Sequence, residues 1–157
     1  MKKGQWKVYA FWIGLSEAVG ILAGFLIRNG VEVYGLTVNK PPLSPPNWVF
    51  PVVWGILYAL MGISAARVWL SEDSPGKSRS ISLFIAQLAV NFFWPLFFFN
   101  VQAYGFALLW LILLWILVFL LILNNRRVDM AASWLLVPYL VWLTFALYLN
   151  IGVYLLN

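Results

Sequence analysis

The stretch Tyr104-Gly-Phe-Ala-Leu-Leu-Trp-Leu-Ile-Leu-Leu-Trp-Ile-Leu-Val-Phe-Leu-Leu-Ile-Leu123 holds twenty residues without a charge, and two aromatic-rich apolar runs of similar length flank it. Twenty apolar residues in a helix span about 30 Å, the hydrocarbon thickness of a bilayer. Four more segments meet the same criterion, so the expected spans are 8–27, 48–70, 81–101, 104–123 and 131–155. Barrel strands would be about 9–11 residues long with alternating polarity, and nothing here alternates. In lipid a helix satisfies its own backbone hydrogen bonds. The fold class read from the residues is an all-α membrane protein, a five-transmembrane-helix bundle forming a single domain over 1–157.

Composition points the same way. Apolar residues make up 64% of the chain and charged residues 10%, against roughly 45–50% and about 25% in globular proteins. With 157 residues, no cysteine and no histidine, the chain has no disulfide, no thiol nucleophile and no imidazole for acid–base work. Most side-chain zinc and haem ligation is excluded too, and the residues call for no cofactor. The first apolar segment is too long for the core of a cleavable leader and lacks a small-residue cleavage site.

Charge placement predicts topology. Lys2, Lys3, Lys7, Arg67, Lys77, Arg79, Arg126 and Arg127 fall on one side of the expected spans, and only Arg28 and Lys40 on the other. The positive-inside rule then places the N-terminus in the cytoplasm and the C-terminus outside. The first connection, 28–47, is the one long loop. Pro41, Pro42, Pro45 and Pro46 stiffen it, and a loop of that length serves either as a lid over the bundle mouth or as a plain connector.

Polar groups inside the spans are few. Glu17 lies mid-span, where a carboxylate costs about 2.5–3.5 kcal/mol on insertion scales. Gly20 and Gly24 follow on its face as a GxxxG pattern. No second acidic residue lies within a span to form a relay, so the expectation is a close helix crossing with a neutral Glu17 hydrogen-bonded across it. Gln87, Asn91 and Trp94 share a face of the third span just before Pro95. Trp54, Tyr58 and Met61 share one on the second, and Pro138, Trp142, Ala146 and Asn150 form a drifting stripe on the fifth. Amides alone are common interhelical glue. Three aromatic-and-amide stripes together predict a shared cavity for a large, flat, apolar ligand with a few polar groups. Of the ten tryptophans, Trp6, Trp12, Trp48, Trp69 and Trp134 fit an interfacial belt. Trp54, Trp94 and Trp142 fit the cavity, and Trp110 and Trp115 fit lipid contact or packing.

The run Lys40-Pro-Pro-Leu-Ser-Pro-Pro-Asn-Trp-Val-Phe-Pro-Val-Val-Trp54, continuing through Leu57-Tyr-Ala-Leu-Met-Gly62, resembles the signature of the TspO/MBR family of tryptophan-rich sensory and translocator proteins, formerly peripheral-type benzodiazepine receptors. Gln87-Leu-Ala-Val-Asn91 with Trp94-Pro-Leu-Phe-Phe98 resembles its third helix, and Pro138-Tyr-Leu-Val-Trp142 with Phe145-Ala146 and Leu149-Asn150 its fifth. The resemblance implies a five-helix bundle, usually a homodimer, that binds porphyrins such as protoporphyrin IX under the first loop, in tetrapyrrole handling or stress sensing in a bacterial cell membrane. It implies cavity roles for Trp54 and Trp142 and ligand-lining roles for Phe106, Ala146 and Leu149. The candidate ligand-binding set is thus Trp48, Trp54, Tyr58, Asn91, Trp94, Phe106, Trp142, Ala146 and Leu149. Some members are reported to promote light-dependent porphyrin breakdown, which would make Trp54 and Trp142 catalytic; a small-molecule transporter is the other alternative. The chain departs from the family at Leu43 and Phe92, where Trp is common, and at Phe106, which is Trp in animal members. Val153-Tyr154 is followed by Leu155, Leu156 and Asn157, so the basic residue of the animal cholesterol motif is missing and sterol binding by that route is not implied. Expected partners are membrane lipid and a porphyrin, with no nucleic acid.

Overall fold

The computed structural model describes residues 2–157, and the described residues form an all-helical bundle without strands. Helix α1 runs Gln5–Thr37, α2 Val49–Trp69, α3 Pro75–Pro95, α4 Tyr104–Val128, α5 Met130–Leu135 and α6 Val137–Leu156. A π-helical turn, Leu96–Asn100, extends α3. Five helical units are long and apolar enough to cross a membrane: α1, α2, α3 with its π-turn, α4, and α5 with α6. The units pack as a ring in which α1 meets α2 and α3, α3 meets α4, α4 meets α5 and α6, and α2 meets α5.

Helix ends differ from the sequence expectation where tertiary contacts override local signals. α1 does not stop at residue 27. It continues ten residues further because its last turns pack: Gly30 lies against the backbone of Phe99, and Tyr34 is buried edge-on to Phe99 with Phe98 beside it. The 28–47 loop therefore shrinks to 38–48, and the prolines from Pro41 onward keep that segment non-helical. α3 begins at Pro75, in the first turn where a missing N–H costs nothing, with Ser74 accepting from the Lys77 N–H as its cap. At Pro95 the α-helix gives way to the π-turn, since proline cannot donate to the helical ladder. The fifth span is broken at Leu136, two residues before Pro138, whose ring disfavours continuous helix through the preceding turn.

In lipid, apolar burial barely distinguishes packed helices from separate ones, so close packing and interhelical hydrogen bonds hold the bundle. Gly62 lets α2 cross α1 at backbone contact, since a Cβ there would overlap the Ile13 and Trp12 backbone. One buried polar chain ties three helices. The Tyr58 hydroxyl donates to Asn91 Oδ1 at 2.6 Å, Asn91 Nδ2 donates to the Tyr139 hydroxyl at 2.6 Å, and that hydroxyl donates to Gln87 Oε1 at 2.8 Å. A second cluster lies toward the opposite end, where Ser64 donates to the Ala132 carbonyl and Ser80 to Asn125 Oδ1. Nearby, Arg67 pairs with Asp129 at 3.1 Å. Burial pushes the Asp129 carboxyl up, but the Ala132 N–H and the Arg67 guanidinium outweigh it and hold the group below its ordinary range.

The short loop is fastened to α6. Tyr148 donates to the Pro42 carbonyl at 2.6 Å, Pro41 fills the space left by Gly152, and Asn157 exchanges hydrogen bonds with Asn39. The loop and the end of α6 thus share one face of the bundle.

Candidate functional site

α1 and α2 touch at Gly62, and Gly20 is filled by the Tyr58 ring, where a Cβ would overlap it. Beyond Gly20 the two helices diverge: a Cβ at Gly24 or at Gly55 would meet nothing within 4 Å. The wedge between them, closed behind by the end of α3, its π-turn and α6, is a cavity of about 520 Å³. That volume lies within the range of about 300–1,000 Å³ typical of small-molecule sites.

Each wall comes from a stripe readable along its helix. α2 contributes Phe50, Trp54 and Tyr58 at successive turns, α3 contributes Asn91 and Trp94, and α6 contributes Trp142, Ala146, Leu149 and Asn150. The floor is polar where Tyr58 meets Asn91. One wall is fixed by the Trp94 indole, which donates to Asn150 Oδ1 at 3.1 Å while Asn150 Nδ2 donates to the Tyr104 carbonyl. Trp54 tilts over Tyr58 at 5.6 Å and meets Tyr139 edge-on; Trp142 meets Phe50 edge-on at 6.0 Å. The Trp142 indole N–H is buried and has no acceptor among the described residues. The lining is otherwise mostly aromatic and aliphatic, with Asn47 at one corner and Glu17 and Arg28 as its two ionisable side chains.

The structure brings together Trp54, Tyr58, Asn91, Trp94, Trp142, Ala146 and Leu149 from the expected set. Trp48 and Phe106 lie elsewhere. Trp48 caps α2 with its side chain 68% exposed, turned away from the wedge that Phe50 and Trp54 face. Phe106, 51% exposed, stacks with Trp110 and meets Phe97 edge-on on the outer side of α4, a helix that lines no part of the cavity. Trp12 likewise leaves the expected interfacial belt: it is buried against Phe84, Trp69 and Phe11. Glu17 makes no side-chain hydrogen bond among the described residues and borders the cavity, in place of the expected bond across a helix crossing. That crossing is made by Gly62, while Gly24 of the GxxxG pattern faces open space.

Only Asn47 of the loop reaches the lining, so the loop borders one corner of the mouth. The wide side is lateral. Ile21, Gly24 and Arg28 of α1 and Pro51 of α2 line the cavity and are also exposed on the bundle's outer surface, Ile21 by 74%. Sequence reasoning missed this gap, as well as Tyr34, Phe98 and Phe99, because they lie beyond the expected end of the first span or in the π-turn. Phe50, one turn before Trp54, was within reach of the same helical spacing.

A model of the TspO/MBR family matches residues 12–156. The chain belongs to the TspO/MBR family. Its relatives in that family span bacteria, archaea and animals. The tryptophan-rich protein TspO of Chlorobaculum tepidum is 39% identical over 152 residues, covering 94% of each chain. Protein CrtK of Rhodobacter capsulatus is 39% identical over 122 residues, 77% of this chain and 76% of that one. The human translocator protein is 34% identical over 156 residues, 91% and 86% of the two chains. As a TspO/MBR protein with five helices able to span a bilayer, it is an integral membrane protein.

Proposed function

We propose that this protein binds a porphyrin of the protoporphyrin IX type in the wedge between α1, α2, α3 and α6, for tetrapyrrole handling or sensing. The observation that carries the reading is the cavity wall itself: the Trp54 and Trp142 indoles flank a space of about 520 Å³, and Trp142 brings a buried N–H without an acceptor among the described residues. A flat conjugated ring offers large aromatic faces to such walls, and its polar atoms offer an acceptor to the indole. Buried donors are rarely left unpaired in proteins. The reading includes a homodimer in the cell membrane with a cytoplasmic N-terminus, from the family resemblance and the uneven basic residues respectively.

The test is titration of the purified protein with protoporphyrin IX, in light and in darkness, following tryptophan fluorescence and porphyrin absorbance. Aromatic stacking contributes roughly 0.5–1.5 kcal/mol beyond area burial. The Trp54→Ala, Trp142→Ala double variant should therefore bind at least several-fold more weakly than the parent. An unchanged affinity in that double variant overturns the assignment of the ligand to this cavity.

A further inference from the structure

Glu17 and Arg28 lie on one face of α1, eleven residues apart, hence three turns and about 16 Å along the axis. Both line the cavity, Glu17 at its floor near Tyr58 and Arg28 at its mouth. Between them the same face carries Gly20 and Gly24, whose missing side chains leave that strip of the wall low, with Ile21 beside them. The cavity therefore has a guanidinium at its mouth and a carboxyl group at the far end of the same track.

Arg28 has no carboxylate partner among the described residues. Among the described residues the ion pairs are Arg67 with Asp129 and Lys77 with Asp73, and Glu32, one turn further along α1, pairs with nothing. The Arg28 guanidinium is held only by its own helix: it donates to the Phe25 carbonyl at 3.3 Å and lies 4.0 Å from the centre of the Phe25 ring. Both contacts are local and partly exposed, so a rotamer change frees the guanidinium toward the mouth. A guanidinium presents paired N–H donors matched to a planar carboxylate.

We infer that Arg28 anchors a carboxylate of an amphiphilic ligand whose flat apolar body lies between Trp54 and Trp142. Arg28 is the one cationic group in the lining among the described residues, so it fixes one orientation: acid edge outward, acid-free edge inward. The lateral gap fits this arrangement, because the acid groups stay at the exposed rim while the ring slides in between α1 and α2. This inference rests on the porphyrin reading above and adds which edge of the ligand is recognised.

The experiment compares protoporphyrin IX with its dimethyl ester, which has the same ring and no free acid. Binding is followed by tryptophan quenching in maltoside micelles, which contain no anionic headgroup. Parent, Arg28→Gln and Arg28→Lys proteins are titrated with each. Arg28→Gln should weaken the free acid by roughly five- to tenfold, the scale of one partly solvated charge-assisted hydrogen bond, and leave the ester unchanged. Arg28→Lys should restore part of the loss, since it keeps the charge but not the fork. If Arg28→Gln weakens both ligands alike, or neither, while both still quench the parent, the anchor is overturned and the cavity reading stands. If neither ligand quenches the parent, the porphyrin reading fails and the inference with it. Arg28 is exposed at the rim, so neither substitution disturbs a packed interface.

Discussion

Replacing Asn91 with Leu removes the hub of the Tyr58–Asn91–Tyr139–Gln87 chain while keeping a side chain of similar size. Asn91 accepts from Tyr58 and donates to Tyr139, each at 2.6 Å, with all three residues buried. Hydrogen bonds between membrane helices average about 0.6 kcal/mol and reach about 1.7. Two such bonds put the loss at roughly 1–3 kcal/mol. Tyr139 keeps its bond to Gln87, so its hydroxyl is not stranded. Tyr58 loses the one hydrogen bond described for it, at the cavity floor. The assay is unfolding in bicelles, combined with Tyr58→Phe in a double-mutant cycle. Tyr58→Phe deletes only the hydroxyl, so the two changes should be non-additive, with a coupling of about 0.6–1.7 kcal/mol. Additive effects, or an Asn91→Leu protein as stable as the parent, would refute the chain as a structural tie between α2, α3 and α6.

Gly62→Val should destabilise the protein by about 1–3 kcal/mol or more, because the added atoms overlap the α1 backbone at Ile13; Gly55→Ala, facing open space, should be neutral or slightly stabilising in the same thermal-shift measurement. The Asp129 carboxyl is held below its ordinary range in the folded protein, so its contribution to stability is present at neutral pH and lost as the pH falls through the folded-state value. Asp129→Asn should flatten the acid limb of a stability–pH curve, and an unchanged limb would show that Asp129 does not set it. A reporter fused to the C-terminus should be active only if it works outside the cytoplasm; cytoplasmic activity would contradict the orientation read from the basic residues.

The spans and the polar stripes were legible in the sequence because both are written in strong contrasts: uncharged runs against charged flanks, and a rare amide against hydrocarbon. Asn91, Trp94 and Trp142 stood out for that reason. Which face of each helix meets lipid was not legible, since lipid-facing and core-facing positions are equally apolar and periodicity loses its contrast. Phe106 shows the cost, being aromatic and family-matched yet on the outer side of α4. The ten further residues of α1 were hidden differently. Asn29, Gly30 and Gly35 weaken local helix propensity, and only the packing of Gly30 and Tyr34 against the π-turn explains why the helix runs on. Arg28 was read as a topological flank because a basic residue just past an expected span end ordinarily is one.

The lateral gap between α1 and α2 changes what binding to this protein means. A ligand arriving through it comes from hydrocarbon, not from water, and the volume it enters is one that acyl chains can also reach. Transferring its apolar body from lipid to an apolar wall removes little surface from water, so the usual gain of about 25 cal/mol per Å² is already realised on entry into the bilayer. An affinity quoted against the aqueous concentration would then be mostly a partition coefficient, similar for every hydrophobic molecule of the same size. Discrimination falls to the few groups that hydrocarbon cannot imitate: the Trp142 N–H, the Tyr58–Asn91 floor, the Glu17 carboxyl and the Arg28 guanidinium. Competition should accordingly be counted in mole fraction within the membrane, where a change of lipid is a change of solvent and of competitor at once.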